Sequence, residues 1–318
     1  MGRYIFKRCL WLLVVLIGVA FVIFSVLYLA PGDPARIMLG EEATLEEIQE
    51  MRHILGIDRP YLVQLGDFLY STFIRFDLGE SWFFKAPVLK EVFKRIPITF
   101  TISFLSMVLT ISVGYPMGIS AARNQGKWQD YGVIGVSMIL NCLPNFWVAL
   151  MAVLLFALKL GWLPAQGIDS WKGYILPVVT GALGGIAGNA RQARSAMLEV
   201  IRADFVTTAR AKGQEENVIV RRHMLPNAMM PLITSLGGRL SHIISGSAIT
   251  ERVFSIAGVG TYMLGGISNR DYPVIRATTL FMAMFSAVIV LLTDLAYAWI
   301  DPRIKAQYQN SSTRKKGY

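Results

Sequence analysis

The side chains that most often carry catalysis or bind metals are few and scattered in this sequence of 318 residues. Its three histidines, His53, His223 and His242, lie far apart and form no close ligand spacing such as HExxH. The sequence has no G-x-S-x-G nucleophile elbow, and no glycine-rich loop that ends in Lys and Ser or Thr. We therefore expect no metal site, no covalent catalysis and no cofactor bound by this chain.

Composition indicates a membrane protein and argues against a nucleic-acid partner. Hydrophobic residues make up 54% of the chain and charged residues only 16%, which is too little charge for an ordinary soluble surface. The formal net charge is +10, but the basic residues lie beside apolar runs and form no stripe with interleaved aromatics. Cys9 and Cys142 both fall in or next to apolar segments, so no disulfide framework is expected.

A charged stretch, residues 204–226, lies between two long apolar runs and suits contact with a soluble partner. It predicts two short helices, the first capped by Asp204 and ended by Gly213 in the left-handed conformation. The second helix is expected to open with acidic and polar residues and to close with basic ones: Gln214, Glu215, Glu216, then Arg221, Arg222 and His223. Pro226 then starts the next apolar segment, so the pair of helices would be rigidly coupled to it.

Long apolar runs predict an all-α integral membrane protein with six spans, because a hydrocarbon core of ~30 Å needs about 20 helical residues. The predicted spans are Leu10–Ala30, Thr99–Ala122, Tyr131–Leu158, Gly173–Ala190, Pro226–Thr250 and Ala277–Ile300. Pro144 is expected to kink the third span. The glycine-rich run from Gly181 to Gly188 in the fourth would allow a close helix neighbour.

The distribution of Lys and Arg predicts the orientation of these spans. Basic residues are concentrated before the first span, between the second and third, between the fourth and fifth, and after the last. Both termini and residues 204–226 are therefore expected to be cytoplasmic. We divide the chain into residues 1–30 (N-terminal segment and first span), 31–97 (external subdomain), 98–303 (five-helix core) and 304–318 (cytoplasmic tail).

The external segment, residues 31–97, is predicted to form a small helical insertion between the first two spans. Thr44 and Glu47 have the spacing of a capping box, and a second amphipathic helix can start at Pro60. Two roles are open for this insertion. It can be a docking platform for a substrate-binding protein, or a cap packed over the membrane helices.

Residues 204–226 resemble the cytoplasmic signature loop of binding-protein-dependent ABC importer permeases. The family pattern is Glu-Ala-Ala, three residues, Gly, nine residues, Ile, one residue and Leu-Pro. The spacing is kept here, and these places hold Thr207, Thr208, Ala209, Gly213, His223, Leu225 and Pro226. The replacements of Glu, one Ala and Ile resemble the peptide and nickel branch, in which TARAKG, here Thr208 to Gly213 and including Ala211, is common. The alternative is an ordinary amphipathic loop between membrane helices.

Further motifs along the chain resemble those of dipeptide and oligopeptide permeases. They are LAPGDP (Leu29 to Pro34), DLGES (Asp77 to Ser81), VFSIAGVG (Val253 to Gly260), RDYPV (Arg270 to Val274) and DPR (Asp301 to Arg303). Together they extend from about residue 4 to about residue 305. Only the tail after about residue 306 has no counterpart, and it is predicted to be solvated.

The resemblance implies a six-helix permease of the type I ABC importer kind, in the inner membrane of a bacterium. Its implied partners are a second homologous permease, two ABC ATPases that bind ATP and Mg, an external substrate-binding protein and the lipid bilayer. In the family the signature loop docks into a groove on the ATPase. The implied cargo is a di- or oligopeptide; nickel, glutathione and antimicrobial peptides are alternatives with very similar permeases. More distant alternatives are an ATP-independent secondary transporter or channel, and a membrane enzyme.

Polar side chains within the predicted spans are candidates for the translocation path, because such groups are costly in lipid. Arg239 and His242 in the fifth span can meet a peptide carboxylate, or face the partner permease or a polar core instead. Asn141 and Asn145 flank Pro144 in the third span, where the kink can build a gate or substrate contact. Packing with an interfacial aromatic is the alternative there.

Overall fold

The computed structural model describes residues 2–40, 42–229, 232 and 247–300. This part of the chain is helical and contains no β-strand; its one isolated antiparallel bridge joins Glu80 and Pro87. The all-α prediction is confirmed. The described residues form two compact units: those within 2–100 and 255–287 form the N-terminal unit, and those within 101–254 and 288–300 form the core unit.

The first four helices belong to the N-terminal unit: α1 (Gly2–Leu29), α2 (Pro34–Leu39), α3 (Leu45–Leu55) and α4 (Tyr61–Phe73). The capping box predicted for α3 is present, with Glu47 N–H donating to Thr44 Oγ1 at 3.3 Å and Thr44 N–H donating to Glu47 Oε2 at 2.8 Å. These bonds from Thr44 lower the pKa of Glu47. Helix α4 begins directly after Pro60, as predicted.

The remaining helices are α5 (Val88–Arg123), α6 (Trp128–Cys142), α7 (Asn145–Ala152), α8 (Ile175–Ile201), α9 (Asp204–Ala211), α10 (Glu216–Ile219), α11 (Val259–Ser268) and α12 (Tyr272–Ile300). A π-helix, Val153–Lys159, follows α7, and a 3₁₀ turn, Trp171–Tyr174, precedes α8. A second π-helix, Val220–Met224, follows α10. Residues 225–229 and 247–253 are also helical.

Three helices in the described ranges have the length and apolar composition to cross a membrane: Arg8–Leu29, Val88–Arg123 and Tyr272–Leu292. They correspond to the first, second and sixth predicted spans. A fourth span exists if Trp128–Cys142 and Asn145–Lys159 count as one, although they are bent by 98° at the break before Asn145. The kink expected at Pro144 is therefore present. The count of six stays a prediction, because α8, which contains most of the predicted fourth span, is not among these helices and most of the fifth span lies outside the described residues.

Helix α8 differs from the predicted fourth span by continuing to Ile201, eleven residues beyond Ala190. Residues 191–201 contain no proline or glycine, so nothing local ends the helix at Ala190. Arg191 and Arg194 consequently lie on a helix and not in a loop.

The close neighbour predicted for the glycine-rich part of α8 is α5. A Cβ built at Gly185 would lie 2.8 Å from Thr110, and one built at Gly118 on α5 would lie 2.2 Å from the Ala190 carbonyl oxygen. Real Cβ atoms do not approach other atoms so closely, so only glycine permits this separation of the two helices. Helices α5 and α8 form the packed base on which α9 and α10 lie.

Candidate functional site

Residues 204–224 form a compact hairpin of α9, a turn, α10 and the second π-helix. Gly213 follows the end of α9 with φ of +75°, so the left-handed conformation predicted for it is confirmed. The prediction that Asp204 caps α9 is wrong. Ala203 holds the cap position and no side chain bonds there; Asp204 is the first helical residue, where its charge still favours the helix dipole.

The predicted end of the second helix at Arg221, Arg222 and His223 is also wrong. These residues lie in the π-helix Val220–Met224, and helical residues 225–229 follow without a break. Leu225 N–H donates to the Val220 carbonyl, five residues back. Pro226 explains the wide turn, because proline has no N–H for the carbonyl four residues earlier and its ring crowds that carbonyl. The hairpin therefore continues directly into the next segment.

The inner face of the hairpin is apolar and tightly packed. Val206, Ile219 and Met224 are fully buried, and they share one cluster with Met197 on α8 and Tyr115 on α5. Ala209, whose position matches the last Ala of the family pattern, is 6% exposed and belongs to the same cluster. Truncating a buried Ile or Met side chain, such as that of Ile219 or Met224, to Ala costs about 2–5 kcal/mol. The hairpin is thus held firmly on the two long helices.

The outer face of the hairpin is open to solvent, and the predicted site residues divide between the two faces. Exposed members are Asp204, Thr207, Thr208, Ala211, Gly213 and Pro226; His223 and Leu225 are half-buried. Two apolar residues that the sequence analysis did not single out, Phe205 and Val218, are 42% and 41% exposed on this hairpin. Val206 and Ala209 are three residues apart and lie on one face of α9, so Phe205 and Thr208 lie on another. This helical spacing could have predicted from the sequence that Phe205 is exposed.

Polar contacts connect the two arms of the hairpin. Arg210 donates two hydrogen bonds to the Glu216 carboxylate, at 3.1 and 2.7 Å. This guanidinium lowers the pKa of Glu216, and the carboxylate raises the pKa of Arg210. His223 Nε2 lies 3.0 Å from Gln214 Oε1, and Arg123 at the end of α5 donates to Asn217 Oδ1 at 3.0 Å. These contacts fix the turn around Gly213 relative to both arms.

A partly buried ion pair joins α6 and α8. Arg194 on α8 donates to both carboxylate oxygens of Asp130 on α6, at 2.5 and 2.9 Å, and Asp130 also accepts from the Gly126 N–H. Asp130 is 2% exposed. A bidentate pair of this kind fixes the orientation of the two helices more strictly than apolar contact alone.

Two family models together match residues 1–306 of the chain. Residues 114–306 match the binding-protein-dependent transport system inner membrane component, and residues 1–113 match the N-terminal part of the same kind of membrane component. The chain belongs to this family of inner-membrane permease components.

Curated relatives extend over nearly the full length of the permease. A putative peptide transport system permease protein of Brucella abortus (strain 2308) is 37% identical over 313 residues, covering 96% of this chain and 99% of the relative. The dipeptide transport system permease protein of Alkalihalophilus pseudofirmus is 36% identical, with 96% and 100% covered. A glutathione transport system permease protein of Salmonella typhi is 35% identical, with 96% and 99% covered.

Among solved structures, the permease resembles a chain of the MetNI methionine ABC transporter in an inward-facing conformation. The TM-score is 0.57 at 18% identity, and the match covers 68% of this chain and 98% of that chain. At this identity the likeness concerns the fold alone.

The candidate translocation-path residues are only partly described. Arg239 and His242 lie outside the described residues. Asn141 and Asn145 are exposed on either side of the 98° break. The Asn141 amide donates to the Ser137 carbonyl at 2.7 Å, while Asn145 Oδ1 lies 3.6 Å from the Cβ position of Gly184 on α8. Their role in translocation stays a prediction.

In the N-terminal unit, motifs that are nearly 200 residues apart in the sequence meet. Asp271 of RDYPV accepts hydrogen bonds from Ser81 Oγ of DLGES at 2.5 Å and from the Trp82 N–H at 3.2 Å. Ser81 is fully buried and its hydroxyl accepts from the Phe84 N–H at 2.9 Å. Arg270 donates to the carbonyl of Pro31, which belongs to the PGDP motif. The resemblance alone did not indicate that these motifs form one junction.

Groups able to hold a metal ion are absent from the described residues, where no three His, Cys, Asp or Glu side chains cluster. Cys9 and Cys142 are both exposed and free. The prediction that no cofactor is bound by this chain is not tested by this arrangement.

Proposed function

We propose that this chain is one of the two permease subunits of an ATP-driven importer for di- or oligopeptides, and that residues 204–226 couple it to an ATPase. The observation that carries the proposal is the hairpin itself. Its inner face is locked onto α5 and α8, while its outer face presents Phe205, Val218 and polar groups to solvent. Exposed apolar side chains rimmed by polar ones are typical of a protein contact.

The mechanism is alternating access driven from outside the chain. Closure of two ATPase subunits, which bind ATP and Mg, moves the docked hairpin as a unit because its inner face is buried against the long helices. The movement passes through the π-helix and Pro226 into the following segment, since no loop separates them. The pore formed with a second permease then opens to the other side of the membrane. Nothing covalent happens to the substrate.

The direction of transport requires the hairpin to be cytoplasmic. The positive-inside distribution supports cytoplasmic termini, a cytoplasmic hairpin and an external position for residues 31–97, where a substrate-binding protein can deliver cargo. The names of the peptide and dipeptide relatives support a peptide cargo. Glutathione, itself a tripeptide, is the second candidate, because other relatives at similar identity are glutathione permeases.

The coupling role is tested by replacing Gly213 and Phe205 in the reconstituted complex. Gly213→Val strains the turn, because φ of +75° is unfavourable for a β-branched residue. Phe205→Asp puts a charge into the proposed contact. We expect both variants to insert normally and to lose most substrate-stimulated ATP hydrolysis, at least about tenfold, since one or two lost contacts amount to ~1.4 kcal/mol or more.

A matched control is Phe205→Leu, which keeps an apolar side chain at this 42% exposed position and should retain most of the coupling. Normal ATPase binding and stimulation in both Gly213→Val and Phe205→Asp would contradict the proposed role. Competition of radiolabelled dialanine by unlabelled glutathione in the same proteoliposomes distinguishes the two cargo classes.

A further inference from the structure

A cavity of about 900 Å³ lies within the N-terminal unit. Two of its walls are the end of α1, at Phe24 to Ala30, and the start of α12, at Tyr272 to Arg276; both helices are apolar enough to span a membrane. Parts of α3 and α4 and the DLGES loop complete the lining. A volume of this size suits a small organic ligand.

Aromatic side chains form much of the cavity wall. Phe24, Tyr28, Phe68, Trp82 and Tyr272 all contribute. Tyr and Trp are enriched where membrane helices reach the interface with water, because one end of the ring is apolar and the other is polar. The cavity therefore occupies a position at which both lipid headgroups and soluble molecules can enter.

Most charged groups of the lining already have partners. Arg52 is 2.7 Å from Asp33, Arg59 is 3.3 Å from Asp67, and Asp58 is 2.8 Å from His53. The carboxylate of Asp58 has a lowered pKa because of its hydrogen bond with His53. The charges within the two Arg–Asp pairs neutralise each other, and the Asp58 carboxylate is held by its hydrogen bond to the His53 ring.

Two groups of opposite charge are left over. Arg276 lies against the Phe68 and Phe24 rings, with its guanidinium carbon 4.8 and 5.7 Å from their centroids, and its Nε donates to the Tyr272 carbonyl. No salt bridge to it occurs in the part of the chain that the structure describes. The nearby Asp271 is engaged with Ser81 and Trp82.

Asp77 is the second of these groups. Its Oδ1 accepts from the Gly79 N–H at 2.8 Å, and within the described ranges no cation pairs with it. A guanidinium that rests on aromatic rings still has N–H donors free, and its hydrogen bonds to an anion are stronger than those to a neutral acceptor. The lining thus offers one cation and one exposed carboxylate to the same open cavity.

We propose that this cavity binds a zwitterion, a molecule in which an anionic oxygen group and a primary ammonium are joined by a short linker. The anionic group pairs with Arg276 and the ammonium with Asp77. This chemistry is shared by the headgroup of an ethanolamine phospholipid and by a free amino acid or short peptide. The inference does not depend on the cargo proposed above, because it concerns only the lining of the N-terminal unit.

The test measures binding to the full chain, purified with its co-purifying subunits and depleted of lipid, by native mass spectrometry. The lipid probes are dihexanoylphosphatidylethanolamine and dihexanoylphosphatidylglycerol, which lacks the ammonium. The soluble probes are dialanine and N-acetyl-dialanine, which also lacks it. The variants are Arg276→Gln and Asp77→Asn, with Arg75→Gln as matched control, since Arg75 lies 5.1 Å from the Tyr70 ring without lining the cavity.

We expect one zwitterionic probe to bind the parent more tightly than its ammonium-free counterpart. Arg276→Gln should weaken that binding at least about tenfold, and Asp77→Asn should abolish the preference for the ammonium. The lipid and peptide arms show which source occupies the site. Dipeptide binding that survives both substitutions belongs to a transport site and counts against the cavity.

Equal binding of zwitterionic and ammonium-free probes by the parent would overturn the proposal, as would unchanged binding in both variants. If Arg276→Gln does not fold, Ser71→Trp serves instead, because it fills the cavity from α4 and leaves both charges in place. Retained, ammonium-dependent binding in that variant would equally overturn it. Loss of ATPase coupling is not part of this test, so its outcome is separate from that of the hairpin experiment.

Discussion

The hairpin of residues 204–224 and the junction between Ser81 and Asp271 are held by opposite kinds of interaction. The hairpin rests on buried apolar side chains, and its polar contacts are on the exposed side. The junction is centred on a carboxylate that is 2% exposed and accepts several hydrogen bonds. Apolar packing holds an element while leaving its outer surface free for a partner, whereas a buried carboxylate fixes one loop conformation strictly.

The largest effect is expected where the base of the hairpin has no spare room. Gly118→Leu would place a side chain 2.2 Å from the Ala190 carbonyl oxygen, and a backbone atom cannot rotate away. We expect a loss of about 3 kcal/mol or more. The measurement is the fraction of detergent-solubilised protein that stays monodisperse after heating.

Gly132→Leu on α6 is the control for Gly118→Leu, because a Cβ there meets nothing within 4 Å. Both changes raise helix propensity equally, so a difference between them reports packing. Similar heat resistance of the two variants would contradict the close contact of α5 and α8.

The next effect concerns the junction. Asp271→Asn keeps the shape but replaces one acceptor by a donor, facing Ser81 Oγ–H and backbone N–H groups. A buried charge-assisted bond is lost and a donor is left unsatisfied, which costs about 2–4 kcal/mol. The same heating assay measures it.

Asp67→Asn is the comparison for Asp271→Asn, since its side chain is 63% exposed and pairs with the exposed Arg59. It should change stability by less than about 1 kcal/mol. If Asp271→Asn were as mild, the junction would owe its order to apolar neighbours, and the contrast with the hairpin would disappear.

The sequence predicted the local features of both regions better than their long-range contacts. The capping box at Thr44 and the left-handed Gly213 depend on neighbouring residues, and both are present. The predicted cap at Asp204 is wrong because the cap position is one residue earlier, at Ala203, and Asp204 is already the first helical residue.

The hydrogen bonding between Ser81 and Asp271 could not be predicted from the sequence, for a physical reason. Neither Ser81 nor Asp271 has a local pattern that shows its partner, because a buried hydrogen bond between distant residues depends on the packing of whole helices. The π-helix before Pro226 was likewise missed, since the proline was interpreted as a start and not as the cause of a wide turn.

The smallest effect is expected at the exposed ion pair of the hairpin, Arg210 and Glu216. Measuring it shows how much the polar contacts there stabilise the hairpin. Arg210 lowers the pKa of Glu216, so the carboxylate is more acidic in the folded hairpin than in the unfolded chain. The stabilisation is therefore fully present above the ordinary carboxyl pKa of about 4.3, and it is lost as the pH falls through the lower folded value. Because the Glu216 side chain is 51% exposed, we expect less than about 0.5 kcal/mol.

Amide hydrogen exchange of residues 211–215 measures this effect when the parent and Glu216→Gln are compared at the same pH, so that intrinsic rates cancel. The parent should exchange slightly more slowly at pH 7, and the two should converge in acid. A large difference at pH 7, or one that persists in acid, would mean that the turn depends on Glu216 in a way that an exposed ion pair does not explain. The hairpin would then resemble the buried junction, and its outer contacts would have to be treated as part of its structure and not as a surface kept free for the ATPase.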